Sequence, residues 1–257
     1  MRRVLTALVL IPVIVYVVLW APWWAFGAVL AAAACLCYRE YDHLAAAYGF
    51  GAPGPLGYAV GLLLLFVDRE PWTWLMLTMA GLLALGVAMK AEDLSKSLPR
   101  VALLLFGIVY IFGCWKCALP LRARSPHWLL YALLVNWAGD IGAYYAGRAL
   151  GRHKLARRVS PQKTWEGFAG SVLASLLIAG GYLMRFLAGV TIPQAIGLTV
   201  AVNVAGQVGD LAESAIKRGA GVKDSGALLP GHGGLLDRVD STLFALPVVY
   251  TFTQWLA

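Results

Sequence analysis

A chain of 257 residues that is 60% hydrophobic and 13% charged, with a mean hydropathy of +0.73, cannot cover a surface facing water, because soluble domains carry about 25% charged residues. The net charge of +8 would suggest nucleic acid on a soluble protein, but the basic residues cluster in loops between apolar runs. That placement excludes a nucleic-acid partner and suits anionic lipid headgroups.

The apolar runs approach the length of membrane helices and show no strand-like alternation. Helices satisfy their own backbone hydrogen bonds in lipid and open sheets do not, so the fold class is all-α, a polytopic integral membrane protein. About nine spans are expected, near 4–20, 23–38, 55–67, 72–89, 101–119, 127–147, 168–188, 193–212 and 240–257. The Arg2-Arg3 start imitates a secretory signal, but the apolar run resumes after APWW, so an uncleaved first span is expected. Gly57-x3-Gly61 on the third span permits a close helix approach, within the chain or in a dimer. Cys114-x2-Cys117 has no second pair or histidine nearby, so its cysteines read as small membrane-helix residues.

With the N-terminus inside, sixteen of the twenty-one Lys/Arg fall on the inner side of these spans, which orients the chain with its N-terminus cytoplasmic. Residues 1–135 are mostly featureless apolar helix. Residues 136–257 hold nearly all the polar groups of chemical interest, within one continuous membrane domain.

Asp140 interrupts the sixth span and needs a partner or a hydrated cavity. The basic segment Ser160-Pro-Gln-Lys163-Thr164-Trp-Glu166-Gly precedes the seventh span: Thr164 or Ser160 suits a helix cap, and Lys163 is either a phosphate contact or part of a plain entry turn. On the eighth span Asp210, Glu213 and Ser214 share one helical face, with Lys217 four residues past Glu213. An ionisable group at such depth is a functional candidate, or a packing ion pair. Asp237 and Asp240 stand one turn apart at the start of the ninth span, where two carboxylates repel unless a cation joins them. Hard divalent cations take one or two carboxylates plus substrate phosphates, so Asp210, Asp237 and Asp240 form a candidate metal site. The alternative is neutralisation by Arg238 and Lys223. The intervening Pro230-Gly-His232-Gly233-Gly234 offers backbone amides at a helix start to an anion, and Lys217, Arg218 and Lys223 supply positive charge. Glu40 and Asp42 beside Arg39 read as an interfacial charge cluster. His43, His127 and His153 lack ligand-spaced neighbours.

Ser214-Ala-Ile-Lys217-Arg218, Lys223-Asp224, Pro230-x-His232-Gly-Gly and Leu236-Asp237-Arg238-Val-Asp240 closely resemble the signature of the phosphatidate cytidylyltransferase (CDP-diacylglycerol synthase) family. Asp140–Arg148, Ser160–Gly167 and Gly209–Ser214 are similar to the family as well, while the N-terminal half matches in hydropathy alone. The resemblance implies transfer of a cytidylyl group from CTP to phosphatidate, giving CDP-diacylglycerol and pyrophosphate. It also implies Mg²⁺, room for a second, monovalent cation such as K⁺, a bacterial inner-membrane location with the site on the cytoplasmic side, and a homodimer.

On that basis Asp210, Asp237, Lys217 and Lys223 are the expected catalytic residues, and Asp210, Asp237, Asp240 and Glu213 the expected metal ligands. Lys163, Ser214, Arg218, Asp224, His232, Gly233, Gly234, Arg238 and Asp140 are the expected substrate contacts. Two other functions use the same residue types: a CTP-dependent lipid-alcohol kinase, which releases CDP, and a cation-coupled transporter, which needs acids near mid-bilayer on several broken helices.

Overall fold

The computed structural model of the chain describes residues 2–51, 54–90, 93–228 and 233–256. Its helices are α1 (Arg2–Leu19), α2 (Trp23–Ala45), α3 (Pro55–Phe66), α4 (Glu70–Ala88), α5 (Leu94–Arg124), α6 (Pro126–Leu150), α7 (Trp165–Phe186), α8 (Ile192–Gly219) and α9 (Leu236–Trp255). Helix therefore occupies each segment that hydropathy assigns to a span. Four stretches, Pro71–Ala88, Leu94–Arg124, Trp165–Phe186 and Ile192–Gly219, are long and apolar enough to cross a membrane by length and composition. Helix α3 has 12 residues, about 18 Å of rise against a hydrocarbon core of about 30 Å. Among the described residues the departure from an all-helical chain is a short antiparallel hairpin, β1 (Lys154–Ala156) paired with β2 (Ser160–Thr164).

The chain divides into two compact units. One comprises Met1–Phe26, Cys117–Ala215 and Val239–Ala257; the other comprises Gly27–Lys116 and Ile216–Arg238.

Glycines make the first unit possible. A Cβ on Gly142 would stand 2.4 Å from the Gly170 carbonyl oxygen, and one on Gly170 would stand 2.3 Å from the Ala146 Cβ. Helices α6 and α7 are thus in backbone contact, the close approach that small residues allow where lipid gives no hydrophobic drive to association. Polar side chains bind this seam. Asn203 Nδ2 donates to Ser171 Oγ and Ser175 Oγ, both at 2.9 Å, and Ser175 Oγ donates to the Val135 carbonyl at 2.8 Å. Arg122 closes the C-terminal end of α1 by donating to the carbonyls of Val18 and Ala21, with its guanidinium over the Trp23 and Phe26 rings. Cation–π contact of this kind lets a desolvated guanidinium sit among apolar groups.

The second unit is built round an aromatic cluster of Tyr38, Tyr41, Tyr58, Phe106, Tyr110 and Phe112. Gly57 and Gly61 serve that cluster, since a Cβ at either would overlap Tyr38 or Phe112. The Gly57-x3-Gly61 spacing is therefore used inside the chain. Tyr48 Oη donates to the Ile216 carbonyl at 2.8 Å and holds the last turn of α8.

Candidate functional site

In the first unit the acids gather where α6, α8 and α9 bring Asp140, Asp210 and Glu213 within electrostatic reach of Asp240. Glu213 is wholly buried and Asp240 is 8% exposed. Asp240 Oδ1 accepts from the Ser241 N–H at 2.6 Å. Asp210 is the half-buried member: Lys163 Nζ, at the end of β2, lies 2.7 Å from its Oδ2, and Ser214 Oγ reaches its Oδ1 at 3.4 Å. The hairpin delivers Lys163 because Thr164 leaves the strand and caps α7, its Oγ1 accepting from the Gly167 N–H at 3.1 Å. A cleft beside these acids is lined by Asn136, Asp140, Asn203, Gln207, Asp210 and Ser241. Gly206 and Gly209 keep α8 close to its neighbours there, since a Cβ on Gly206 would meet Asn136 and one on Gly209 would meet the Asp240 carbonyl oxygen.

The second unit holds a different arrangement. Asp237 Oδ1 pairs with Lys217 Nζ at 2.5 Å, both side chains buried at 4% and 11% exposure. Asp237 Oδ2 accepts from the Ser225 N–H at 3.0 Å and the Gly234 N–H at 2.8 Å, and it shares the single Ser225 hydroxyl proton, with Oγ at 3.0 Å, with Glu40. The Lys217 ammonium and the Gly234 and Ser225 amides give the buried Asp237 carboxylate the charge and hydrogen bonds that its removal from water takes away. The neutralising partner of Asp237 is thus Lys217.

Glu40 anchors the same loop, a role that sequence reading missed. It is 6% exposed. Its Oε1 accepts from the Leu235 N–H at 2.9 Å, and its Oε2 accepts from the Leu236 N–H and Ser225 Oγ, both at 2.8 Å. A carboxylate at a helix start takes the orphan amides and meets the positive end of the dipole. The amides of Gly234, Leu235 and Leu236 are accordingly engaged by protein carboxylates. The glycines make this possible: Gly233 has φ +79°, and a Cβ on Gly234 would fall 2.1 Å from Ser225 Oγ.

The remaining expected residues are placed as follows. Arg218 Nη1 donates to the Val222 carbonyl at 3.1 Å. Lys223, Asp224 and Arg238 are exposed, and Asp224 lies beside Gly233. Asp140 is exposed on α6 along the acidic cleft. His232 lies outside the described residues. His153 pairs with Glu166 at 2.6 Å, and His127 meets the Tyr182 hydroxyl at 2.5 Å.

The first unit's acids offer only hard oxygen donors. Among the described residues no three acids, histidines or cysteines form a ready-made metal site. Mg²⁺ does not require one, because it is usually held by one or two carboxylates with water and substrate phosphate completing the shell. Buried Asp240 beside Asp210, Glu213 and Asp140 is a concentration of negative charge that such a cation suits, so the donor set fits.

The chain matches the cytidylyltransferase family over residues 1–256. It belongs to that family. A phosphatidate cytidylyltransferase of Staphylococcus aureus (strain COL) is 38% identical over 198 residues, covering 74% of this chain and 75% of the relative. Relatives of the same name from Staphylococcus saprophyticus and Staphylococcus epidermidis are 37% and 36% identical over 196 residues, with the same coverage. The acids of α6, α8 and α9 are therefore read within a nucleotidyl-transfer family.

Proposed function

We propose that this chain transfers the cytidylyl group of CTP to phosphatidate, forming CDP-diacylglycerol and pyrophosphate. The observation that carries the reading is the family match along the whole chain, together with relatives bearing the phosphatidate cytidylyltransferase name. A phosphate oxygen of phosphatidate attacks the α-phosphorus of CTP, and the bond from that phosphorus to the β-bridging oxygen breaks in line, releasing pyrophosphate. The nucleophile is already anionic at neutral pH, so no strong general base is required. The barrier is the meeting of two polyanions, which positive charge fixed in place offsets.

Asp210 and Asp240 are the proposed Mg²⁺ ligands, with Glu213 beside them. The bound ion would supply charge neutralisation at the reacting phosphates. Lys163, paired with Asp210, exchanges that partner for a substrate phosphate. Lys217, Arg218, Lys223 and Arg238 are the other cations assigned to phosphate.

The finer topology is part of the same proposal: the nine helices lie in the bilayer, with α3 reaching only part of the way across by its own length, the N-terminus and the acids face the cytoplasm, and the membrane is the inner one of a bacterium. The deciding experiment supplies purified protein with CTP, phosphatidate and Mg²⁺ and identifies both products. CDP-diacylglycerol with stoichiometric pyrophosphate is expected; release of CDP would mean γ-phosphoryl transfer and overturn the reading.

A further inference from the structure

The hairpin β1–β2 carries charge that the acids do not account for. Residues 148–163 contain Arg148, Arg152, Lys154, Arg157, Arg158 and Lys163 and no aspartate or glutamate. Lys163 is spent on Asp210. Arg152, Lys154, Arg157 and Arg158 are exposed.

The next acid in the chain does not neutralise them. Glu166 accepts from the backbone N–H groups of Arg152 and His153, at 3.1 and 3.2 Å, and from the His153 ring at 2.6 Å. It serves as a brace. With the Trp165 N–H donating to the His153 carbonyl at 2.9 Å, it locks the root of the hairpin to the start of α7. The cations are thus presented on a fixed ribbon rather than a loose loop.

That ribbon borders apolar helix on both sides. Helix α6 ends at Leu150, and α7, a candidate span, begins at Trp165. Tyr144, Tyr145, Leu150 and Trp165 are 56–67% exposed, the amphipathic fringe found at headgroup depth. Exposed cations flanked by exposed aromatics match a phospholipid leaflet, where phosphate and hydrocarbon come together; a free nucleotide offers only the charge.

We propose that the hairpin is a docking surface for the phosphate headgroups of anionic phospholipid, gathering phosphatidate beside Lys163 and Asp210. The proposal rests on the reading above for the identity of the lipid alone. Each basic residue near an anionic surface adds appreciably to attraction, within a Debye length. The arrangement makes lipid capture sensitive to salt and to competing anionic lipid.

The test reconstitutes the wild type, Arg157→Gln/Arg158→Gln and the charge-keeping Arg157→Lys/Arg158→Lys into phosphatidylcholine nanodiscs with graded phosphatidate. Two readouts are taken: association of spin-labelled phosphatidate with the protein, and the apparent KM for phosphatidate and for CTP. The Gln pair should weaken spin-labelled phosphatidate association and raise the phosphatidate KM by up to about 30-fold, about fivefold for each charge removed, with the Lys pair near wild type. The loss should shrink in high salt or with added phosphatidylglycerol. Unchanged association and KM in the Gln pair would overturn the proposal, as would a rise confined to the CTP KM, which would make the ribbon a nucleotide surface. Should the wild type make no CDP-diacylglycerol while the charge-dependent association persists, the reaction assignment falls and the docking surface stands.

Discussion

Lys217 Nζ stands 2.5 Å from Asp237 Oδ1, with 11% and 4% of the two side chains exposed. A buried pair of this kind gains little over an apolar pair of the same volume, but removing one partner strands the other's charge. Lys217→Met should therefore destabilise the protein by about 3 kcal/mol and lower its unfolding midpoint in detergent by roughly 6–10 °C. Lys217→Arg should recover part of that loss. A midpoint equal to wild type in Lys217→Met would mean that the pair carries no structural weight.

The Glu40 carboxylate accepts three hydrogen bonds, two of them from the first amides of α9. Glu40→Gln keeps one acceptor oxygen and gives up the charge, whereas Glu40→Ala leaves the buried amides of Leu235 and Leu236 without this acceptor. Each stranded buried group costs about 1–3 kcal/mol. The Ala variant should lose stability and activity together, and the Gln variant should fall between it and wild type. Thermal unfolding and CTP incorporation into lipid, measured on the same preparations, test that order.

These two residues also mark what the sequence made legible. Helix positions followed from apolar run length, and the acids of α8 and α9 stood out because a carboxylate in an apolar stretch is rare. Glu40 carried the same signal, ending an apolar run on α2, yet its partners lie 185 to 196 residues away. Nothing local specifies such a pairing. The hairpin was hidden for another reason: strands of 3 and 5 residues, Lys154–Ala156 and Ser160–Thr164, are too short for period-2 alternation to register. Lys163 could be named as a cation of interest, but its place on Asp210 depends on that hairpin. The glycines of the Pro230–Gly234 segment read as amide donors for phosphate, while in the fold Glu40 and Asp237 take the amides of Gly234, Leu235 and Leu236 at the start of α9.

Asp210 accepts only the Lys163 ammonium and a long Ser214 hydrogen bond among its described contacts, and it is more open than Asp240 or Glu213. A group so placed is free to act on substrate without holding the fold. Asp210→Asn should lower kcat about 10²–10³-fold, the range seen when one preorganised electrostatic contact is removed. Its unfolding midpoint should stay within about 2 °C of wild type. A large midpoint drop with modest activity loss would make Asp210 a structural ion-pair partner instead.

Chelation separates the roles of the two acidic groups. Asp237 is already neutralised by Lys217 and three hydrogen bonds, so the loop around it should hold its shape in EDTA. The gathered acids of the first unit should respond to Mg²⁺. Activity should vanish on chelation and return with Mg²⁺, and Mg²⁺ should raise the unfolding midpoint of the wild type more than that of Asp240→Asn. An equal rise in both would remove Asp240 from the metal shell.

The contact between α6 and α7 gives the sharpest steric expectation. A Cβ on Gly142 would lie 2.4 Å from the Gly170 carbonyl oxygen and 2.5 Å from the Ala174 Cβ, and neither obstacle is the flexible end of a side chain. A methyl group can be admitted only by moving one helix, and overpacking of this sort costs about 1–3 kcal/mol or more. Helix α7 follows the strand that carries Lys163, so its displacement should also disturb the Lys163–Asp210 pair. Gly142→Ala should therefore reduce both the unfolding midpoint and cytidylyl transfer, and Gly142→Leu should prevent recovery of monodisperse protein from detergent. Gly181, around which a Cβ would meet nothing within 4 Å, provides the comparison: Gly181→Ala should leave both measurements at wild-type level, since it adds a methyl to the facing helix α7 without a neighbour to displace.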